Sequence, residues 1–385
     1  MVIRRGFRFK LKASPDIEAV FRTMAGHARF VWNKALRLNL DRLERGLPIV
    51  WYNDLCGLLH LWKQSAEYGF LTEANAQALQ QKLRDLDRAF SDAFDPAQPG
   101  KRLPRFKKKG VSDSFRFPQG VKVDNRRIFL PKVGWVGFFK SREMIGEIKQ
   151  ATVTREADGW YVSIQTEYEI SDPKWATGGI IGVDRGVAVF AATTDGELVE
   201  PVGAYAKSMQ RLARLQRQLA RKQKGSNNQG KARARVAHMH QRIRRQREDF
   251  LHKLSTRWSK SHALIALEDL RIGNMTRSAK GTVENPGIHV AQKSGLNRAI
   301  LDQGWSAFSA MLEYKLAERG GRLVLVPPQH SSQECSCCGH VAPENRPTRD
   351  LFRCAACGHT EHADVNAATV VLRRGLWIVN HQLAI

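Results

Sequence analysis

Gly178-Gly179-Ile180-Ile181-Gly182-Val183-Asp184 is a short apolar run that ends in an acid. It reads as a buried strand of an α/β sheet, because a strand covered on both faces is apolar without alternation. Working outward, Val187 to Thr194 reads as a second strand, Asp195-Gly196 as a turn, and Glu197 to Glu200 as a third. Ala263-Leu264-Ile265-Ala266-Leu267-Glu268-Asp269 repeats the first pattern. Trp305, Phe308, Leu312 and Leu316 follow at helical spacing, then Arg322-Leu323-Val324-Leu325-Val326 as a further strand. Ala363-Asp364-Val365-Asn366-Ala367-Ala368 opens a final helix. Strands alternate with helices, so this part of the chain is α/β.

Two of these strands end in carboxylates, and a third acid, Asp364, starts a helix. Strand ends and a helix terminus can converge on one site in an α/β sheet. Asp184, Glu268 and Asp364, converged, would hold two divalent cations, Mg²⁺ by their hard oxygens. Two such ions about 4 Å apart activate water and stabilise the leaving oxygen of a phosphodiester. Taken singly, each acid is an ordinary surface or capping carboxylate. The glycines around Asp184 and the strongly basic chain around all three favour the metal. Period-2 alternation points Glu268 and Asp269 to opposite faces, so one of them at most is a ligand.

Five of the six cysteines fall between Cys335 and Cys357. Cys335-x2-Cys338 and Cys354-x2-Cys357 have the spacing of a tetrahedral four-sulfur Zn²⁺ site, closed and structural. Gly339-His340 and Gly358-His359 follow the two pairs, with glycine suited to each tight turn. Cys337 is a bystander and Cys56 a core residue. Clustered thiols in a long basic chain argue against a secreted disulfide framework.

The chain has 385 residues, 62 Lys+Arg against 37 Asp+Glu, and a net charge of +25. No apolar run is long enough to span a bilayer, and Met1-Val2-Ile3-Arg4-Arg5 lacks the apolar core of a secretory signal. The expected setting is the prokaryotic cytoplasm, associated with the nucleoid, with a polyanionic partner. Lys207 to Lys260 holds 17 cations against Glu248 and Asp249. Met209, Leu212, Leu215 and Leu219, then Val236, Met239, Ile243, Phe250, Leu254 and Trp258, keep helical spacing on either side of a break at Gly225 to Gly230. This is a helical hairpin with a basic outer face, and Arg211, Arg214, Arg221, Lys222, Arg242 and Arg245 are its candidate phosphate contacts. A basic loop from Lys101 to Gly110 adds Arg105, Lys107, Lys108 and Lys109, and an alternating first strand adds Arg8 and Lys10.

Residues from about 14 to 100 carry three helical series, the first capped by Ser14-Pro15. From about 113 to 170 the period becomes two, with turns at Asp124-Asn125 and Asp158-Gly159. This reads as an antiparallel β-barrel that the first strand joins, the helical unit being an insertion.

The chain carries, in order, Ala28-Arg29-Phe30-Val31-Trp32-Asn33, Pro104-Arg105-Phe106-Lys107, Leu130 to Val136, Gly182-Val183-Asp184-Arg185-Gly186, Leu267-Glu268-Asp269-Leu270, Ser331 to Gly339, and Asp364-Val365-Asn366-Ala367-Ala368. Jointly these motifs resemble the TnpB (OrfB) family of insertion-sequence proteins, RNA-guided DNA endonucleases related to type V CRISPR effectors. The resemblance implies an α+β multidomain protein. A β-barrel (wedge) domain would span 1–13 and 102–172, and a helical recognition domain 14–101. A RuvC-like nuclease domain of RNase H fold would span 173–329 and 361–385, with a zinc ribbon, 330–360, inserted. The resemblance also makes Asp184, Glu268 and Asp364 the catalytic Mg²⁺ ligands and chooses Glu268 over Asp269. It implies a guide RNA from the transposon end, a double-stranded DNA target beside a motif read by the N-terminal domains, and a monomer on its RNA. Many members carry Asp-Arg before the last acid, where this chain has His362-Ala363. The alternatives are a guide-free nuclease or transposase, which shares the carboxylates, and a non-cutting RNA-guided repressor, which would not need them.

Overall fold

The computed structural model describes residues 1–111, 113–173 and 176–382. The chain divides into two units, Met1–Ile170 and Ser171–Ile385.

In the first unit, β1 (Val2–Lys12) leads into three helices, α1 (Pro15–Glu44), α2 (Tyr52–Gln64) and α3 (Ala76–Phe94). Ser14 caps α1 by accepting from the Ile17 N–H at 3.3 Å. Six strands follow: β2 (Ser114–Phe117), β3 (Lys122–Asp124), β4 (Arg127–Leu130), β5 (Gly134–Phe138), β6 (Glu147–Glu156) and β7 (Gly159–Glu169). All seven strands form one sheet in the order β2-β6-β7-β1-β5-β4-β3, with β1 antiparallel to both β7 and β5. Alternation along β1 buries Phe7, Phe9 and Leu11 in a core shared with Phe21 of α1, Phe115, Phe138 and Trp160. The sheet differs from the expected barrel in one respect: among the described residues no pairing joins β2 to β3. These edge strands are short, and α3 covers β2, with Asp85 ion-paired to Arg116 at 3.4 Å. A second core, around Val31, Leu36, Leu55, Leu83 and Phe90, holds the three helices together, with Cys56 half-buried against it.

The second unit contains β8 (Gly179–Asp184), β9 (Ala191–Thr193), β10 (Leu198–Val199), α4 (Ala204–Ala220), α5 (Asn227–Ser261), β11 (His262–Glu268), α6 (Ile272–Met275), α7 (Val290–Gln303), α8 (Trp305–Ala317) and β12 (Arg322–Val326). A hairpin of β13 (Leu351–Arg353) and β14 (Thr360–His362) precedes α9 (Ala363–Gln382). The main sheet has the order β10-β9-β8-β11-β12, with β8, β11 and β12 parallel. Its two faces are packed differently. Ile181, Val183, Ile265 and Leu267 meet α5, α7 and α8 through Leu254, Trp258, Ile300 and Phe308. Ala266, Val324 and Val326 meet Val371 of α9 on the other face.

Three expectations change. The strand foreseen from Val187 begins only at Ala191, because the chain turns tightly at Gly186, where an added Cβ would lie 2.8 Å from the Val189 oxygen. The break between the basic helices lies earlier than expected, at 221–226, since Ser226 caps α5 and residues 227–230 are already helical. Met209 is 44 % exposed and stands off the hairpin seam, which is made by Leu212, Met239 and Ile243. No described helix is long and apolar enough to cross a membrane.

Candidate nuclease site and metal centre

Asp184 and Glu268 are the last residues of two neighbouring parallel strands whose register pairs Gly182 with Ala266 and Val183 with Leu267. Side chains alternate along a strand, so Asp184 shares a face with Gly182, and Glu268 with Ala266. That face is the one α9 covers, and Asp364 lies in the first turn of α9. The helix can approach because the facing positions are small. A Cβ on Gly182 would lie 2.1 Å from the Ala368 oxygen, and one on Gly375 would lie 2.7 Å from the Ala266 Cβ. The three carboxylates are thus brought to one end of the sheet by strand register and helix packing. Asp269 is exposed, and its N–H donates to the Val326 carbonyl at 2.7 Å.

The electrostatics of the cluster follow from this placement. Burial, then the charges of Glu268 and Asp364, push the Asp184 carboxyl up to about 7. Burial also raises Glu268, against the pull of the Ser331 hydroxyl, which donates to Glu268 Oε1 at 2.6 Å. Arg346 donates to Asp364 Oδ1 at 2.9 Å. The buried Arg185 donates to the Glu268 carbonyl oxygen and, at 2.9 Å, to Ser309 Oγ. Its guanidinium is lowered to about 10 by burial. His362 has its Nδ1 3.3 Å from the Asp364 N–H and caps α9.

The sulfur atoms of Cys335, Cys338, Cys354 and Cys357 lie within 4.8 Å of one another. The Cys335–Cys357 and Cys338–Cys354 separations are 3.7 and 3.6 Å. A tetrahedral Zn²⁺ with Zn–S bonds of about 2.3 Å sets its sulfurs about 3.8 Å apart, so this cluster can hold zinc. Each half is the same turn. Gly339 donates to the Cys335 carbonyl and Gly358 to that of Cys354, both at 3.0 Å, with φ of 78° and 74°. The backbone N–H groups of Cys357 and Ala356 pull the Cys354 thiol down, while the crowded sulfurs raise Cys338 and Cys357. Cys337 is exposed and outside the cluster.

Two buried asparagines join these structures, and sequence reasoning gave neither a role. Asn345 donates to the Gln333 and His340 carbonyls and accepts from the Ala355 N–H, tying one cysteine turn to the other. Asn366, two residues after Asp364, donates to the Glu334 carbonyl at 2.8 Å and accepts from the Ser336 N–H at 2.9 Å. Ser331 and Arg346 were missed in the same way, although Ser331 lies within a quoted motif. Their distance from the acids in sequence gave no signal.

The basic residues separate into two groups. Arg8 pairs with Glu156 and lies 4.8 Å over the Tyr161 ring, and Lys10 pairs with Asp158 at 3.2 Å. Lys107 sits 3.6 Å over Trp32, and burial lowers its ammonium to about 8. Trp32 and Asn33 hold this loop by hydrogen bonds to the carbonyls of Arg105 and Lys107, each 3.0 Å. Arg105, Lys108, Lys109, Arg211, Arg214, Arg221, Lys222 and Arg242 are exposed, and Arg245 is half-buried. Arg211 and Arg242 both line a groove of about 800 Å³ bordered by α4 and α5.

Comparison with known proteins now decides the family. "Putative RNA-guided DNA endonuclease InsQ" of Escherichia coli (strain K12) is 45 % identical over 96 % of this chain and 92 % of its own. The chain belongs to the TnpB (OrfB) family. A "Putative RNA-guided DNA endonuclease" of Streptomyces pristinaespiralis is 31 % identical over 97 % of this chain and 90 % of its own. The OrfB profile described as "Probable transposase" matches residues 163–279, and a Cas12f1-like TNB domain matches 305–371. A profile described as a helix-turn-helix domain matches residues 1–47, which here form β1 and the long helix α1. The protein chain in a cryo-EM structure of a Cas12f1–sgRNA–target DNA complex superposes with a TM-score of 0.53 at 13 % identity. It covers 96 % of this chain and 99 % of that one, a likeness of fold.

Proposed function

We propose that this TnpB-family protein is a transposon-associated RNA-guided DNA endonuclease, with Asp184, Glu268 and Asp364 as its Mg²⁺ ligands. The observation that carries the site is the register of β8 and β11, which sets the half-buried Asp184 beside the buried Glu268 under the first turn of α9. Three clustered acids, one pushed up to about 7 even with Arg185, Arg346 and Arg374 close by, form a hard-oxygen set, which suits Mg²⁺. Asp184, Glu268 and Asp364 would hold the Mg²⁺, which would supply activation of water and stabilisation of the leaving oxygen for hydrolysis to a 5′-phosphate and a 3′-hydroxyl. The chain's own groups prepare the site. Ser331 orients Glu268, Arg185 fixes the end of β11 through the Glu268 carbonyl, and Arg346 holds Asp364.

The five-stranded order, with β9 alone running against the others, supports a RuvC-like RNase H fold for residues 173–329 and 361–385. Residues 330–360 form its zinc ribbon. Residues 1–13 and 102–172 are the wedge, a sheet wrapped barrel-like on one core, and 14–101 the recognition helices. The wedge and helices read a short duplex motif beside the target. The exposed cations of α4 and α5 hold the guide–target duplex by its phosphates. The protein acts as a monomer on a guide transcribed from the element's end.

The test is to express the gene with its native flanking DNA and sequence the RNA that copurifies. One discrete RNA ending in sequence from beyond the element, supporting Mg²⁺-dependent cleavage of matching DNA, is the expected result. Cleavage that persists after RNA is removed would replace the guided reading with a guide-free nuclease.

A further inference from the structure

The groove of about 800 Å³ in the second unit is bordered by α4, α5 and the chain from Val199 to Ala204 that joins β10 to α4. Lys207, Arg211, Arg242 and Gln246 in its lining are exposed, and Ser208 is half-buried. None of these side chains has a hydrogen bond or ion pair among the described residues, so all are free to meet a ligand. Lys207 and Arg211 stand one turn apart on α4, as do Arg242 and Gln246 on α5, so each pair shares a helix face. Farther along α5, Lys253 and Arg257 are already paired, with Asp249 and Glu197. The unbalanced positive charge of the groove therefore lies with Lys207, Arg211 and Arg242.

Each feature restricts the ligand. Three unpaired cations along one groove call for an anion with several phosphates. The groove is too narrow for a duplex. α4 and α5 pack on each other through Leu212, Met239 and Ile243, which sets their axes about 8–10 Å apart. A double helix, whose major groove alone is about 12 Å wide, has to stay outside, whereas a single strand can enter. Val202 and Phe250, half-buried in the lining, offer apolar surface to sugars and bases. The carboxylate in the lining, Asp249, is held by Lys253 at 2.7 Å, so no free acid waits for a ribose 2′-hydroxyl, and the apolar surface suits deoxyribose. Position adds the last restriction. Asp184 pairs with Ala192 and Ala192 with Leu198. At about 4.8 Å between strands, Leu198 and its neighbour Val199 lie about 10 Å from Asp184, at the same end of the sheet.

We propose that this groove binds one unpaired strand of the DNA being cut, a few nucleotides from the bond that the carboxylates hydrolyse. Lys207, Arg211 and Arg242 take successive phosphates, Ser208 and Gln246 hydrogen-bond to the same strand, and the sugars lie against Val202 and Phe250. Val199 packs on the helical face of the sheet and Asp184 faces α9, so the strand reaches the acids over this end of the sheet. The assignment removes Arg211 and Arg242 from the cations that meet the guide–target duplex and leaves Arg214, Arg221 and Lys222, which do not line the groove, in that role. It rests on the proposed function in taking DNA as the substrate of the acids.

The experiment uses the full chain freed of nucleic acid, in Mg²⁺-free buffer. A fluorescent oligothymidylate is titrated at several salt concentrations, with a DNA duplex of the same length alongside. The wild type is expected to bind the single strand, and the double variant Arg211→Ala, Arg242→Ala about tenfold more weakly. The slope of log affinity against log salt should fall by about 1.4, or about 0.7 for each of two lost phosphates. Affinity for the duplex should stay within about twofold of wild type, because Arg214, Arg221 and Lys222 are untouched. In protein purified with its RNA, the same variant should retain that RNA and cut subsaturating target about tenfold more slowly, and Arg211→Lys with Arg242→Lys should recover most of the rate. Unchanged affinity for oligothymidylate, or an equal loss for the duplex, would overturn the groove and leave the nuclease reading standing. Loss of the copurifying RNA would give the groove to the guide and overturn its assignment to DNA. If the wild type itself does not cut DNA in Mg²⁺, the proposed function fails, and the titration alone decides whether the groove takes a single strand.

Discussion

The thiols and the carboxylates of the second unit reach their positions by different routes. Four sulfurs meet because two like turns, each closed by a glycine of positive φ, one between the bridged Glu334 and Val341 and one at the tip of the β13–β14 hairpin, are tied together by Asn345. Three acids meet because β8 and β11 pair in parallel register and α9 folds back onto them at Gly182 and Gly375. The first cluster is built by local chain geometry and the second by the packing of the whole sheet. A local cluster is disturbed by changes to its own residues. A packed one is disturbed by any change that shifts an element, even far from the acids. Arg346 and Ser331 link the two, since both lie in or beside the ribbon and touch the carboxylates.

The largest effect should come from the acids themselves. Asp184→Ala is expected to lower cleavage by about 1000-fold or more while zinc content and retention of copurifying RNA stay at the wild-type level. Metal analysis and RNA recovery from the same preparation check both halves. Full cleavage by this variant would remove the carboxylates from the mechanism, and loss of zinc with it would show that the clusters are not separately built.

Removing the ribbon's metal tests the link from the other side. Chelation, or Cys354→Ser, should erase hydrogen-exchange protection between residues 331 and 362 and leave β8 and β11 protected. Cleavage should fall about 100-fold, because Ser331 and Arg346 lose their places beside Glu268 and Asp364. Undiminished cleavage by the metal-stripped protein would make the ribbon a bystander to the chemistry. Gly182→Ala should act more weakly, through packing alone. The added methyl collides with the Ala368 backbone, which costs about 1–3 kcal/mol and pushes Asp364 away from the strand ends. A cleavage loss of about 10-fold with zinc retained is expected, and an unchanged melting temperature would contradict the close approach of α9.

The same contrast governs what the sequence discloses. Cysteine pairs at fixed spacing state their own geometry, so the four thiols are legible from Cys335 to Cys357 without any fold. The strand-end acids are legible only as candidates, because their convergence depends on register and on Gly182, whose closeness to α9 no local pattern announces. Asn345 and Asn366 escape for a further reason: each bonds backbone groups of the ribbon, which any sequence offers equally. Residues 270–304 show no helical series to read, and α7 there contributes little more than Ile300 to the core. Charge is the least informative signal. Arg8 and Arg211 look alike in sequence, yet one is bound to Glu156 within the sheet and the other is exposed on α4.

The smallest predicted effect concerns the crowding of the acids without metal. Asp184 titrates at about 7 in the fold, against 3.8 for the free side chain. Between these values the unfolded chain has released its proton and the folded chain has kept it, so raising the pH favours unfolding across that window. Below 3.8 the two states are equally protonated, and above about 7 the loss is complete. Glu268, raised by burial, adds in the same direction. Because the acids titrate together, the change belongs to the cluster as a whole and should appear as a fall in melting temperature across that window. Asp95 and Glu167, held down by hydrogen bonds, have slopes of the opposite sign, so the quantity to measure is the difference between wild type and Asp184→Asn in metal-free buffer. That difference should vanish when Mg²⁺ is added, because a bound cation does what the proton otherwise does. If wild type and Asp184→Asn melt in parallel from pH 4 to 8, the acids do not crowd one another enough to call for a cation. The thiols would then stand alone as a cluster built for metal.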